Sequence, residues 1–131
     1  MIVLDTSALI AVVNQEPERQ HVLAIIASAD RCLISTVSLL ETHMVTFGRL
    51  GDDGINRLAL WFESFPLVIA PFDEAQAQAA ITAFRRFGKG IHPKARLNFG
   101  DCASYALAKT RNLPLLFKGD DFSATDIIEA K

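Results

Sequence analysis

Short apolar runs alternate along this chain with longer stretches whose apolar residues recur every three or four positions. Ile2-Val3-Leu4, Cys32-Leu33-Ile34, Leu67-Val68-Ile69 and Leu113-Pro114-Leu115-Leu116-Phe117 are the short runs. Their length and their polar or turn-forming flanks predict buried strands. The stretches between them predict helices. Asp5-Thr6-Ser7 caps a helix over Ala8 to Val13. Glu16-Pro17-Glu18 reads as a second start, with Pro17 in the first turn and Val22, Leu23, Ile25 and Ile26 as the apolar stripe. Ser35-Thr36 caps a third helix, whose core face is expected to be Val37, Leu40, Met44 and Phe47. Gly51-Asp52-Asp53-Gly54 breaks it, and Ile55 to Phe65 forms a fourth. An alanine-rich helix follows over Asp73 to Phe87, then a loop from Gly88 to Asn98. Gly100-Asp101 opens a last helix to about Arg111, and Gly119-Asp120-Asp121 makes a turn after the last strand. The alternation predicts an α/β fold: a mostly parallel sheet of about four short strands, with helices on both faces, as a single domain over residues 1–131. In open sheets of this kind ligands sit beyond the carboxyl ends of the strands.

Composition narrows the classes. Half of the 131 residues are hydrophobic and 21% are charged, which supports a real core and excludes disorder. No apolar run reaches the ~18 residues of a membrane span. Met1 leads straight into Ile2-Val3-Leu4 without a basic segment, so a cytoplasmic protein without a secretory signal is expected. Cys32 and Cys102 fit no metal or disulfide spacing and read as buried thiols in a reducing compartment. A net charge of −2 excludes a globally basic nucleic-acid binder. The distribution changes that picture locally. Ala75 to Gly100 contains no acid and holds Arg85, Arg86, Lys89, His92, Lys94 and Arg96. Such a stripe can bind phosphates, and it can equally be a solvated helix face and loop.

The acids carry the candidate chemistry. Asp5 directly follows the first strand, where its carboxylate would project from the carboxyl edge of the sheet; it also fits a helix N-cap. Thr6 and Ser7 offer hydroxyls that could cap the helix or orient Asp5. Glu41 shares or borders the expected apolar face of the third helix, where an unpartnered carboxylate is costly. Alternatively, it closes a capping box with Ser38. Asp101 lies in the first turn of its helix, where it also compensates the helix dipole. Asp120 and Asp121 follow the fourth strand and fit turn chemistry. Each site has a bland explanation, but their combination suggests more. Carboxylates gathered in one cleft would raise one another's pKa unless a cation neutralised them. An all-oxygen cluster suits Mg²⁺ or Mn²⁺ rather than zinc. Such an ion lowers the pKa of a bound water and stabilises charge developing on a phosphoryl group, which is chemistry for cutting phosphodiesters.

These residues resemble a known family, the VapC-type PIN-domain toxins. Ile2-Val3-Leu4-Asp5-Thr6-Ser7-Ala8-Leu9-Ile10-Ala11 looks like the family's opening, and Ser38-Leu39-Leu40-Glu41-Thr42 like its second acidic motif. Leu97-Asn98-Phe99-Gly100-Asp101-Cys102 with Tyr105-Ala106-Leu107-Ala108-Lys109 resembles the third. Leu115-Leu116-Phe117-Lys118-Gly119-Asp120-Asp121-Phe122 with Thr125-Asp126 resembles the last. The matches run in the family's order over nearly the whole chain. The resemblance implies a PIN-like three-layer fold and an endoribonuclease that uses Mg²⁺, with Mn²⁺ as the alternative, to cleave RNA by metal-activated water. It also implies the toxin half of a type II toxin–antitoxin module, a VapB-like antitoxin as partner, and a homodimer. Carried over by position, Asp5, Glu41 and Asp101 are catalytic metal ligands, with Asp120 or Asp121 as the fourth acid and Thr6 and Ser7 in support. No histidine stands at a general-base position: His21 and His92 match no acidic motif, and His43 points elsewhere on its helix from Glu41. The RNA backbone is expected on Arg85, Arg86, Lys89, Lys94 and Arg96, the dense cationic group just before Asp101.

Other readings meet obstacles. A phosphatase with a nucleophilic Asp5 needs a second Asp two positions on, where the chain has Ser7. A receiver domain needs an acidic pair before its phosphorylated Asp, and Met1 to Leu4 leave no room for one. A catalytically inactive PIN-fold module that binds RNA or protein is the alternative from another class. It would be expected to have lost acids, and here every acidic motif is filled.

Overall fold

The computed structural model describes the whole chain, Met1 to Lys131. Four parallel strands form one sheet in the order β3-β2-β1-β4: β1 is Ile2–Leu4, β2 Cys32–Ser35, β3 Leu67–Ala70 and β4 Leu115–Leu116. In β1, Ile2 and Val3 pair with Cys32 and Leu33 on one side, and Val3 and Leu4 with Leu115 and Leu116 on the other. The two-residue period of a strand sends alternate side chains to opposite faces. Val3 and Leu33 accordingly join a core with Phe87, Leu107 and Leu115, while Ile2, Leu4, Cys32 and Ile34 join another with Leu9, Val22 and Ile25. Two cores, one on each face, make the three-layer arrangement that the apolar runs predicted.

Helices α1 (Thr6–Val13) and α2 (Arg19–Ser28) cover one face, and α4 (Glu74–Phe87) and α5 (Phe99–Arg111) cover the other. Residues Cys102 to Ala108 of α5 are all buried, and the alanines and Ser104 among them allow the helix to lie close on the sheet. The chain runs from β1 outward to β3 and returns to the far side of β1 as β4. This places a topological switch between β1 and β4, with a crevice beyond their carboxyl ends.

Several element boundaries differ from the sequence reading. Helix α3 runs from Thr36 to Phe62 with a kink at Gly51, whose φ of 64° is open to glycine at little cost. The Gly51–Gly54 segment therefore bends the chain without a loop, and the second half starts earlier than Ile55 and ends before Phe65. Glu16-Pro17-Glu18 is a turn, and α2 begins at Arg19 with no side-chain cap from Glu18. Strand β4 is shorter than the apolar run around it.

The larger correction concerns the face that α3 buries. Leu40, Met44 and Phe47 are 61%, 65% and 58% exposed, whereas Ser38, Thr42 and Thr46 are buried. Ser38 and Thr42 of this polar face find hydrogen-bond partners inside, whereas the buried Thr46 hydroxyl has none. The Thr42 hydroxyl donates to the Ser38 carbonyl at 2.7 Å, the Thr6 hydroxyl to the same oxygen at 3.3 Å, and the Ser38 and Ser104 hydroxyls pair at 3.0 Å. A satisfied buried hydroxyl is tolerated, and a seam of small side chains brings α3 close to α1 and α5. Hydrophobic periodicity alone identified the helix but chose the wrong face.

Candidate active site

The crevice holds a cleft of about 380 Å³ whose walls include Asp5, Glu41, Asp101 and Asp121. Four separate segments deliver these acids: the end of β1, the second turn of α3, the start of α5 and the loop after β4.

Asp5 is the most constrained. It is the N-cap of α1, and its Oδ2 accepts from the Ser7 backbone N–H at 3.0 Å and the Ser7 hydroxyl at 2.6 Å. The Lys118 backbone N–H in turn donates to the Ser7 hydroxyl oxygen at 3.0 Å, which ties the loop after β4 to the start of α1. The capping and site readings of Asp5 are thus the same geometry, since capping uses only one carboxylate oxygen. Oδ1 is buried with no hydrogen bond of its own, while the nearby Ser104 hydroxyl is shared with Ser38. Burial raises the Asp5 pKa, against the hydrogen bonds from Ser7 and the proximity of Ser104. The Thr6 hydroxyl makes no hydrogen bond to Asp5 and belongs instead to the seam with α3.

Glu41 is half-buried on the cleft side of α3. The capping box with Ser38 does not form, because the cap of α3 is Ser35, whose side chain accepts from the Val37 N–H, and Ser38 pairs with Ser104. Gly100 explains how Glu41 meets α5. A Cβ at position 100 would overlap both Glu41 carboxylate oxygens, so only glycine lets this carboxylate lie against the first turn of α5.

Asp101 sits in that turn. Asn98 is the true N-cap of α5: its side-chain oxygen accepts from the Asp101 N–H at 2.9 Å, and Asp101 Oδ2 accepts from the Asn98 N–H at 3.1 Å. This reciprocal box holds the carboxylate while leaving its other oxygen to the cleft. The Asp101 pKa is pushed up to about 7, first by burial and then by the charges of Asp5, Asp121 and Glu41. Asp5, Glu41 and Asp121 are thus all electrostatic neighbours of Asp101, while the fifth acid of the wall, Glu16, is paired with Lys118. Of the pair after β4, Asp121 lines the cleft; Asp120 is exposed and does not.

The basic stretch lies elsewhere. Arg85 borders an apolar groove, and Arg86 stands over the Phe87 ring and 3.6 Å from Asp126. Lys89, Lys94 and Arg96 are exposed and line none of the cleft. The cations that do line it are Arg49 and Lys118, which the sequence reading did not single out. Arg49 was detectable: it follows Glu41 by eight residues, two helical steps of four. Lys118 could be placed only by knowing that its ammonium bridges to Glu16, and to Glu18 at 3.4 Å.

The cleft offers oxygen donors only, one of them the unpartnered Oδ1 of Asp5. That chemistry fits a hard divalent cation. No three of the carboxylates form a ready-made cage around a single ion. An ion held there would complete its coordination with water or by drawing the side chains together.

Residues 2–128 match the family model of the PIN domain. A ribonuclease VapC of Mycolicibacterium smegmatis is 44% identical over 126 residues, covering 96% of this chain and 97% of that protein. The crystal structure of Mycobacterium tuberculosis VapC20, a sarcin–ricin loop cleaving toxin, superposes with a TM-score of 0.81 at 21% identity, covering 100% of this chain and 99% of the other. The VapBC2 structure from Rickettsia felis, bound to a DNA fragment from its promoter, gives 0.75 at 18% identity, with 100% and 98% covered.

Proposed function

The chain belongs to the PIN-domain family, among its VapC ribonucleases, and on that premise we propose that it is a divalent-metal-dependent endoribonuclease acting as the toxin of a VapBC-like module. The observation that carries the reading is the convergence of Asp5, Glu41, Asp101 and Asp121 on one cleft at the switch point of the sheet. Asp5, Glu41 and Asp101 would hold Mg²⁺ or Mn²⁺, with Asp121 as the fourth acid. When bound, such an ion lowers the pKa of water and offsets charge developing on the phosphoryl group. The chain's own residues supply position. Ser7 fixes the Asp5 rotamer, the Asn98 box fixes Asp101, and Gly100 admits Glu41. With no cation, Asp101 retains a proton to near neutrality, so cation binding there displaces a proton. Water adds to phosphorus and gives up a proton as the P–O bond to the neighbouring ribose breaks, and the leaving ribose oxygen takes up a proton from solvent to become a hydroxyl.

The same reading includes a VapB-like antitoxin as partner, a homodimer, and action on RNA in the cytoplasm. No helix is long and apolar enough to cross a membrane. The test is cleavage of RNA by the purified chain with Mg²⁺ or Mn²⁺, stopped by EDTA and absent in Asp101→Asn. Expression without the antitoxin should arrest growth, and light scattering should give twice the chain mass. A soluble wild-type chain that leaves RNA intact under all these conditions would refute the enzymatic reading.

A further inference from the structure

RNA arrives at the cleft as a row of phosphates, and the four carboxylates without an ion pair, Asp5, Glu41, Asp101 and Asp121, repel them everywhere except at a bound cation. Backbone contacts with basic residues supply most of the non-specific affinity for nucleic acid. The cleft must therefore carry a cation free to make one. Its two basic residues differ in this respect. The Lys118 ammonium is already bound to Glu16 and Glu18. Arg49 is exposed and makes no ion pair, and its charge reaches Glu16 only as a minor influence behind Lys118.

Placement adds to the argument. Glu41, Val45 and Arg49 all line the cleft, one helical step of four apart, so a single face of α3 forms that wall. Arg49 is rooted about 12 Å along the helix axis from Glu41, at 1.5 Å per residue. Its backbone is thus set off from Glu41 along the wall while its side chain still lines the cleft.

We propose that Arg49 binds the RNA backbone at a phosphate adjacent to the scissile one and so sets which phosphate lies over the acids. This rests on the ribonuclease reading above. The planar guanidinium can take two phosphate oxygens at once, which fixes orientation as well as position. Arg49 is a positioning residue and touches none of the reacting atoms. The competing account is that Arg49 merely complements the helix dipole just before the Gly51 kink. That role would appear in stability and leave RNA binding unchanged.

The experiment is a titration of single-stranded RNA at several salt concentrations, on the catalytically inert Asp101→Asn background. Arg49→Ala should lower the slope of log affinity against log salt by about 0.7, the loss of one phosphate contact on a single strand. Arg49→Lys should keep the slope and recover only part of the affinity, because lysine lacks the fork. Arg49→Gln keeps more of the side chain and replaces the alanine variant if that one folds poorly. In the otherwise wild-type enzyme, Arg49→Ala should raise KM more than it lowers kcat. A slope unchanged in both Arg49→Ala and Arg49→Gln, with salt-dependent RNA binding intact, would overturn the proposal and leave the ribonuclease reading standing. Failure of the wild-type chain to cleave RNA would remove both.

Discussion

Two neighbouring hollows share the same pair of helices and have opposite characters. The acidic cleft of about 380 Å³ takes Glu41 from α3 and Asn98 and Asp101 from the start of α5. The apolar groove of about 470 Å³ takes Val37 from α3 and Phe99, Cys102 and Ala103 from α5, and nine of its ten lining residues are hydrophobic. Each helix thus serves both hollows by presenting different faces. The difference teaches that volume does not locate chemistry. The larger hollow has a single ionisable wall residue of charged type, Arg85, whereas the smaller one concentrates carboxylates whose fields reach one another. Titratable groups pushed from their ordinary range in a cleft make that cleft, and not the groove, the candidate functional site.

Substitutions can break that contrast, and the largest effect is expected at the acids. Asp101→Asn and Asp5→Asn should each reduce cleavage by at least about 10³-fold, since an ion's share of transition-state stabilisation is several kcal/mol. Circular dichroism should show an intact fold in both. Cleavage within tenfold of wild type would exclude that residue from the site. The two acids after β4 should then separate. Asp121→Asn should cost about 10–100-fold, the range for residues that orient a metal site. Asp120→Asn, outside the cleft, should leave the rate near wild type; the opposite order would mean that the loop rearranges when RNA binds.

A smaller effect is expected in the pH dependence of stability without metal. The Asp101 carboxyl titrates at about 7 in the folded chain against an ordinary 3.8, so between those values the folded form holds a proton that the unfolded form has lost. Its stabilising contribution is complete below the unfolded pKa and is lost as pH rises towards the folded one. With EDTA present, the wild-type melting temperature should therefore fall between pH 5 and 7.5 more than that of Asp101→Asn. Allowing for partial exposure, the difference should be about 1–2 kcal/mol. Mg²⁺ at pH 7.5 should restore the loss in wild type by binding only the folded form. Equal pH profiles in the two proteins would show that the acids do not share a field. The smallest effect belongs to the groove. Ile81→Ser, at an exposed position on its wall, should change the rate per chain by no more than about twofold, because surface changes rarely exceed 0.5 kcal/mol. A large loss would couple the groove to the chemistry.

Much of this protein was legible from its residues. The apolar runs placed all four strands: β1, β2 and β4 are buried throughout and need apolar residues on both faces, while β3 keeps its apolar run although Val68 and Ile69 are exposed. The strand-end position of Asp5, the helix-start position of Asp101 and the acid after β4 followed from local signals. These depend on residues close in sequence, and each carboxylate is held mainly by neighbours within three positions: Ser7 for Asp5, Asn98 for Asp101.

Tertiary structure decided the rest. It put Asp121 and not Asp120 on the cleft wall, although the two differ by one step around a turn and carry the same charge. It turned the polar face of α3 inward, because Thr6 and Ser104, 32 and 66 residues away from Ser38, supply partners that no local pattern reveals. It also put Arg49 and Lys118 in the cleft and left Arg85 to Arg96 outside it, although the latter are denser in sequence. Charge density along a chain is one-dimensional. The field at a cleft depends on which helix faces meet there, and that is settled only when the sheet assembles.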